Sequence, residues 1–204
     1  MILKLIFKFF IILMFFISVS NAQYITLSEL DRINPKLQLP FGNLDKTPYF
    51  GNVVYAAQPD LDTVKMLKDQ GFDLIINIRE LNENIGFDEK KLLEKQGILY
   101  VQIPYMQEPS FNSEFSDVAL SKIKLSIDDG TRKGLKILLH CSHGQRVAST
   151  LGAILYRDYG YTVEEAFEAA NKAGMMSEWS VPRFYRLVER LDQMVPANVI
   201  STEE

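Results

Sequence analysis

The chain has 204 residues and a formal net charge of −4, with one cysteine and two histidines. An acidic balance gives no support for nucleic-acid binding. A single cysteine excludes an intramolecular disulfide framework.

Residues 1–22, MILKLIFKFFIILMFFISVSNA, carry Lys4 and Lys8, then an apolar run from Phe9 to Val19 and the small-x-small close Ser20-Asn21-Ala22. That order reads as a signal peptide, removed on export to the periplasm or the medium. The apolar run is short for a bilayer span, so no stable membrane anchor is expected after cleavage. Removing Lys4 and Lys8 takes the net charge from −4 to −6. The remainder, about 180 residues from Gln23, suits one domain with a real core.

Residues 23–51 hold Pro35, Pro40 and Pro48 and read as an irregular extension, with one short helix near Leu27–Ile33. The main domain is expected over 52–204. NVVYAA (52–57) reads as a short strand. Pro59-Asp60 opens a helix with Leu61, Val64 and Leu67 on one face and Gly71 as its stop. DLIINI (73–78) is a continuous apolar run, as a strand covered on both faces should be. The polar loop RELNENIG precedes a helix near Asp88–Gln96, and ILYVQI (98–103) is the next strand.

Residues 110–130 place Phe115, Val118, Ala119, Ile123 and Ile127 at helical spacing, with Asn112 or Ser113 as cap. KILLH (136–140) is a fourth buried strand. VASTLGAILYRDYG (147–160) is apolar nearly all round and reads as a buried helix. Thr162 and Glu165 form a capping box for the helix that follows. VPRFYRLVERLDQM (181–194) is the last helix, with proline in its first turn. Strands separated by helices make an α/β fold: a central, mostly parallel sheet of four to five strands with helices on both faces.

In such folds ligands bind where strands end and helices begin. HCSHGQR (140–146) sits there and holds the only cysteine and both histidines. A helix starting near Gln145 or Arg146 aims its free amides and dipole at the loop, favouring an anion and the thiolate form of Cys141. Gly144 lets the backbone turn toward a ligand. Arg146 offers a planar fork for two oxygens of a tetrahedral oxyanion. The bland alternative is a small core hydrophobe at Cys141; the agreement of strand, glycine, arginine and helix favours catalysis. A metal site at His140, Cys141 and His143 is disfavoured, because adjacent residues of an extended chain point to opposite sides. His140 is expected to be buried and to orient the loop, and His143 to sit at its rim.

Strand, His-Cys, a short glycine-containing loop, arginine and helix resemble the active-site loop of cysteine-dependent protein tyrosine phosphatases, in their dual-specificity-like branch. AAQP (56–59), LIINIRE (74–80), LYVQIPY (99–105) and HCSHGQRVAS (140–149) are similar to a bacterial phosphatase-like group that includes the beta-lactamase-hydrolase-like phosphatase-like domain. The resemblance covers about residues 50–195. It implies a protein tyrosine phosphatase-like fold and a phosphorylated substrate. Cys141 would attack phosphorus to form a phosphocysteine that water then hydrolyses. Ser142, His143, Gly144, Gln145 and Arg146 would hold the phosphate oxygens. That chemistry calls for no cofactor.

The chain departs from the family pattern in three places. Four residues separate Cys141 from Arg146, where most tyrosine phosphatases have five. The shorter spacing also resembles rhodanese-like sulfurtransferases. Val147 stands where a serine or threonine usually stabilises the thiolate, which would leave Ser142 or Ser149 to do so or the thiol pKa higher. Gln107 stands where an aspartate general acid is expected, so Glu108 becomes the candidate acid; a catalytically weak oxyanion-binding module is the reading in which no acid works. Gln58 either contacts the loop or places water, or is a turn-forming polar residue. Glu178 and Trp179 are candidates for the rim of the site.

Overall fold

The computed structural model describes residues 40–44, 47–110 and 112–194. The signal peptide expected at residues 1–22 and the helix expected near Leu27–Ile33 lie outside them. One mixed sheet carries the fold. Its strands are β1 (Tyr49–Phe50), β2 (Val53–Ala56), β3 (Leu74–Asn77), β4 (Leu99–Gln102) and β5 (Ile137–His140). Their spatial order is β1-β2-β5-β3-β4; β1 is antiparallel to β2 and the other pairings are parallel.

β2, β3 and β5 are buried along their whole length, as their unbroken apolar sequences require. β4 lies at the open edge, which is why Leu99 is exposed. β1 extends the sheet into the segment read as irregular, and Phe41 and Leu44 ahead of it are buried against the same face.

Six helices of six or more residues cover the two faces among the described residues. α1 (Leu61–Met66) and α2 (Glu89–Lys95) pack on one face, where Val64, Leu67 and Leu93 meet Ile75 and Leu138. α3 (Asp117–Arg132), α4 (Gln145–Tyr159), α5 (Val163–Lys172) and α6 (Ser180–Met194) pack on the other, around Leu151, Ile154, Leu155 and Phe184. Each such fully buried side chain contributes about 1.5–3 kcal/mol of hydrophobic stabilisation.

The caps follow the sequence closely. Asp60 and Asp88 accept from the amides of Thr63 and Lys91, and Thr162 and Glu165 form the expected capping box. α3 is the exception. It starts at Asp117 behind a Ser116 cap, not at residue 110 behind Asn112 or Ser113. Phe115 is held extended instead, by a β-bridge to Met106 and by stacking on buried Tyr105 with ring centroids 4.9 Å apart. Tertiary packing of one aromatic ring therefore overrides helical spacing over the first turns.

α4 is buried continuously from Arg146 to Leu155. It passes so close to α5 and α6 that a Cβ on Gly152 would lie 2.8 Å from the Ala166 carbonyl oxygen and 2.9 Å from Phe184 Cε2.

Candidate active site

β5 is flanked by β2 and β3, and its partners are in register at their last residues: Ala56 with His140 on one side, Asn77 with His140 on the other. Gln102 is in turn level with Asn77. Four loops therefore leave the sheet at one edge, after residues 56, 77, 102 and 140. This is the strand-order switch point at which α/β sheets hold ligands. Between these loops lies an open cleft of about 870 Å³, and Cys141, Ser142, His143, Gln145 and Arg146 line it.

Cys141 continues β5 and is 1 % exposed. Its amide donates to the Ala56 carbonyl at 3.3 Å, tying the loop to β2. The chain then turns through Gly144, whose φ of +84° suits glycine. That turn brings the Gly144 N–H to 3.2 Å from Cys141 Sγ. α4 begins at the next residue with no side-chain cap, so its first amides and dipole are left for an anion. That amide, rather than a serine hydroxyl, is the donor at Sγ. Ser149 donates instead to the Gln145 carbonyl and contacts Met175 Sδ, both at 3.0 Å. The Ser142 hydroxyl accepts from Arg146 Nη2 at 2.9 Å and lies 3.0 Å from His143 Nδ1. His143 is exposed at the rim, as expected.

The Gln145 side chain is engaged across the cleft. Its Oε1 accepts from the hydroxyls of Ser177 and Ser180, fixing the segment before α6 to the loop. Trp179 in that segment lines the cleft and stands edge-on to Phe115 at 5.6 Å, whereas Glu178 is exposed and outside the lining.

Arg146 is 7 % exposed and its guanidinium is held from the loop after β3. Nη1 donates to Glu83 Oε1 at 2.5 Å and Nη2 to Glu83 Oε2 at 2.8 Å. Glu83 also accepts from the Glu80 amide at 2.8 Å and from Arg79 Nε at 3.3 Å. Burial opposes ionisation of Glu83, but the hydrogen bonds from Arg146 and the Glu80 amide override it and pull its carboxyl down to about 2. Burial likewise works against the Arg146 cation, and Glu83 more than offsets it, so its affinity for the proton rises.

Behind the loop runs a second buried polar chain. The Gln58 amide N–H donates to the Ser142 carbonyl at 3.2 Å, so Gln58 does contact the loop. Its side chain accepts from Arg79 Nη1 at 2.8 Å and donates to Glu89 Oε1 at 2.7 Å. Glu89, at the start of α2, also accepts from Asn77 at 3.1 Å. His140 is fully buried with Nε2 3.3 Å from Glu89 Oε1. Neither ring nitrogen has a partner aligned for a hydrogen bond. Burial disfavours the Glu89 anion, yet His140 and Gln58 hold its carboxyl below the usual range.

The structure brings Cys141, Ser142, His143, Gly144, Gln145, Arg146, His140 and Gln58 together. It leaves Glu108 out: Glu108 is exposed and does not line the cleft, and neither does Gln107. Pro109 and Ser110 carry that loop along the rim. Sequence reasoning missed Arg79, Glu80, Glu83 and Glu89. Arg79, Glu80 and Glu83 follow a buried strand directly and Glu89 opens the next helix, but nothing local says that this strand neighbours β5.

A sheet that delivers a thiol to the mouth of a buried helix, with an arginine fork beside it, defines a cysteine-dependent α/β phosphatase. Residues 54–188 match the dual specificity phosphatase catalytic domain, and the chain belongs to that family. Among solved structures it is similar to a putative phosphatase from Shewanella putrefaciens (18 % identity, 82 % of this chain and 95 % of that one, TM-score 0.54). It is also similar to PTPMT1 in complex with PI(5)P (18 % identity, 69 % and 92 %, TM-score 0.56). A third similar structure is TpbA of P. aeruginosa in complex with pTyr (14 % identity, 76 % and 91 %, TM-score 0.58). These likenesses establish the fold. A search of curated proteins gives no match.

Proposed function

We propose that this protein is an exported phosphomonoesterase that works through a cysteinyl-phosphate. The observation that carries the reading is Cys141 Sγ at the base of an open cleft, with the Gly144 amide 3.2 Å away and Arg146 on the same lining. The thiolate attacks phosphorus and the ester oxygen departs. The amides at the start of α4 and the Arg146 fork hold the three equatorial oxygens as charge builds on them. Water then cleaves the S–P bond and releases phosphate. For Arg146 to clamp a substrate, a phosphate must share or displace the Glu83 carboxylate that now fills its fork.

Export is supported by the basic, apolar and small-residue order of residues 1–22. Amino-terminal sequencing of the protein recovered outside the cytoplasm should begin at Gln23.

The enzymatic test uses 4-nitrophenyl phosphate with the wild type, Cys141→Ser and Arg146→Lys. The wild type turns over, Cys141→Ser does not, and Arg146→Lys is slowed by about 10²-fold or more, because lysine supplies a point charge where two prongs are needed. Mass spectrometry of a rapidly quenched reaction finds phosphate on the Cys141 peptide. Equal activity in all three proteins would end the proposal. The four-residue spacing between Cys141 and Arg146 supports one other chemistry, sulfur transfer. Thiocyanate release from thiosulfate and cyanide, with no ester hydrolysis, would establish it instead.

A further inference from the structure

We propose that Glu80 is the general acid of this site, in place of the carboxylate missing from the loop after β4. The inference rests on the phosphomonoesterase reading. Among the described residues only two carboxylates line the cleft, Glu80 and Glu83. Glu83 is committed as an anion by its two-pronged pair with Arg146. Glu80 is 7 % exposed and makes no such pair. One of its carboxyl oxygens accepts from the Met106 amide at 3.0 Å, which fixes the side chain against the start of the loop after β4. Its own backbone amide donates to Glu83 Oε1, the oxygen that Arg146 Nη1 also reaches. The Glu80 main chain is thus tied through Glu83 to Arg146, and Glu80 lies on the wall of the same cleft as Cys141.

The environments drive the two carboxyls apart. Removal from water pushes Glu80 up, and the Met106 amide and Arg146 only partly counter it. Glu83, a few residues on, is held at about 2. Two neighbouring carboxyls with opposed shifts are a pattern in which one keeps a proton to give and the other stays charged. The charged or titratable groups around Glu80 are Arg146, Cys141 and His143 on the β5–α4 loop and Arg79 and Glu83 on its own loop.

In the first step the Cys141 thiolate forms the S–P bond with its electron pair. The P–O ester bond breaks, its pair stays on the leaving oxygen, and the Glu80 carboxyl gives that oxygen its proton. In the second step the Glu80 carboxylate takes a proton from water as the water oxygen bonds to phosphorus. The S–P bond breaks and the thiolate is restored. The proton matters most for an alkyl ester, whose oxygen otherwise leaves as a strongly basic alkoxide, and least for nitrophenolate.

The test compares 4-nitrophenyl phosphate with a simple alkyl phosphate in the wild type, Glu80→Gln, Glu80→Asp, Glu108→Gln and His143→Ala. Glutamine keeps the acceptor for the Met106 amide and removes only the proton. Glu80→Gln is expected to lose about 10²-fold or more in kcat on the alkyl ester and only a few-fold on the aryl ester. Glu80→Asp should retain part of the alkyl activity. Aryl turnover in the same samples reports that each protein is folded. Equal losses on both esters in Glu80→Gln, or a selective alkyl loss in Glu108→Gln or His143→Ala instead, would overturn the assignment and leave the phosphatase reading standing. A wild type inactive on both esters removes that reading, and the assignment with it.

Discussion

Replacing Glu83 by glutamine tests how the arginine clamp is held. Glu83 accepts both prongs of Arg146, at 2.5 and 2.8 Å, and Arg146 is only 8 % exposed at its side chain. The fall of the Glu83 carboxyl from 4.5 to about 2 sets an upper bound of roughly 3 kcal/mol on what its ionised form adds to folding. The Glu83 side chain is 26 % exposed, so solvent screening reduces this to about 1–2 kcal/mol. Because the folded value lies below the unfolded one, the contribution is whole above pH 4.5 and is lost as pH falls toward 2. Urea denaturation of the wild type and Glu83→Gln at pH 7, 5, 4 and 3 follows the difference. At pH 7 the variant should be less stable by about 1–2 kcal/mol, a Tm lower by about 2–8 °C. The gap should hold at pH 5 and narrow at pH 4 and 3, as the Glu83 carboxyl takes up a proton in the unfolded wild type while the folded one stays charged. Titrating groups that do not feel Glu83, Glu89 among them, are common to both proteins and cancel. A gap that stays constant from pH 7 to pH 3 would refute the reasoning.

Two further substitutions probe the backbone around the site. In Gly144→Ala the new Cβ meets nothing nearer than the Ala57 nitrogen at 3.9 Å, so its cost is conformational: about 1–2 kcal/mol of strain at φ +84°. Relief of that strain turns the Gly144 amide away from Cys141 Sγ, and aryl phosphatase kcat/KM should fall about tenfold; undiminished activity would show that this amide does not matter. Gly152→Ala places a methyl 2.8 Å from a backbone carbonyl between α4 and α5. Overpacking of that kind costs about 1–3 kcal/mol, read as a lower urea midpoint with unchanged slope; an unmoved midpoint would contradict the close approach of these helices.

Most of the fold was legible because its signals are local. Continuous apolar runs at 73–78 and 136–140 gave strands covered on both faces, and Asp60, Asp88 and Thr162 marked helix starts through their own side chains. Phe115 defeated the local reading. Its spacing is helical, but its partners are Tyr105 and Trp179, which are near it only in the folded chain. The carboxylates of the cleft escaped the local reading for the same kind of reason. Glu108 was sought in the loop where an aspartate was expected, while the carboxylates on the cleft wall lie some 25 residues earlier in the chain.

From its sequence alone the chain determines the cysteine loop: one cysteine after a buried run, a glycine to turn on, an arginine and an apolar helix, all within one short segment. Each of those acts on its neighbours in the chain, so spacing is enough to read them. Which groups surround that loop was decided only by the sheet. The parallel register of Asn77 with His140 puts the loop after β3 beside the loop after β5, and so brings Glu80 and Glu83 to an arginine more than 60 positions away. Strand order is set by how two faces of helices bury a common sheet, a property of the whole chain that no short stretch of it carries.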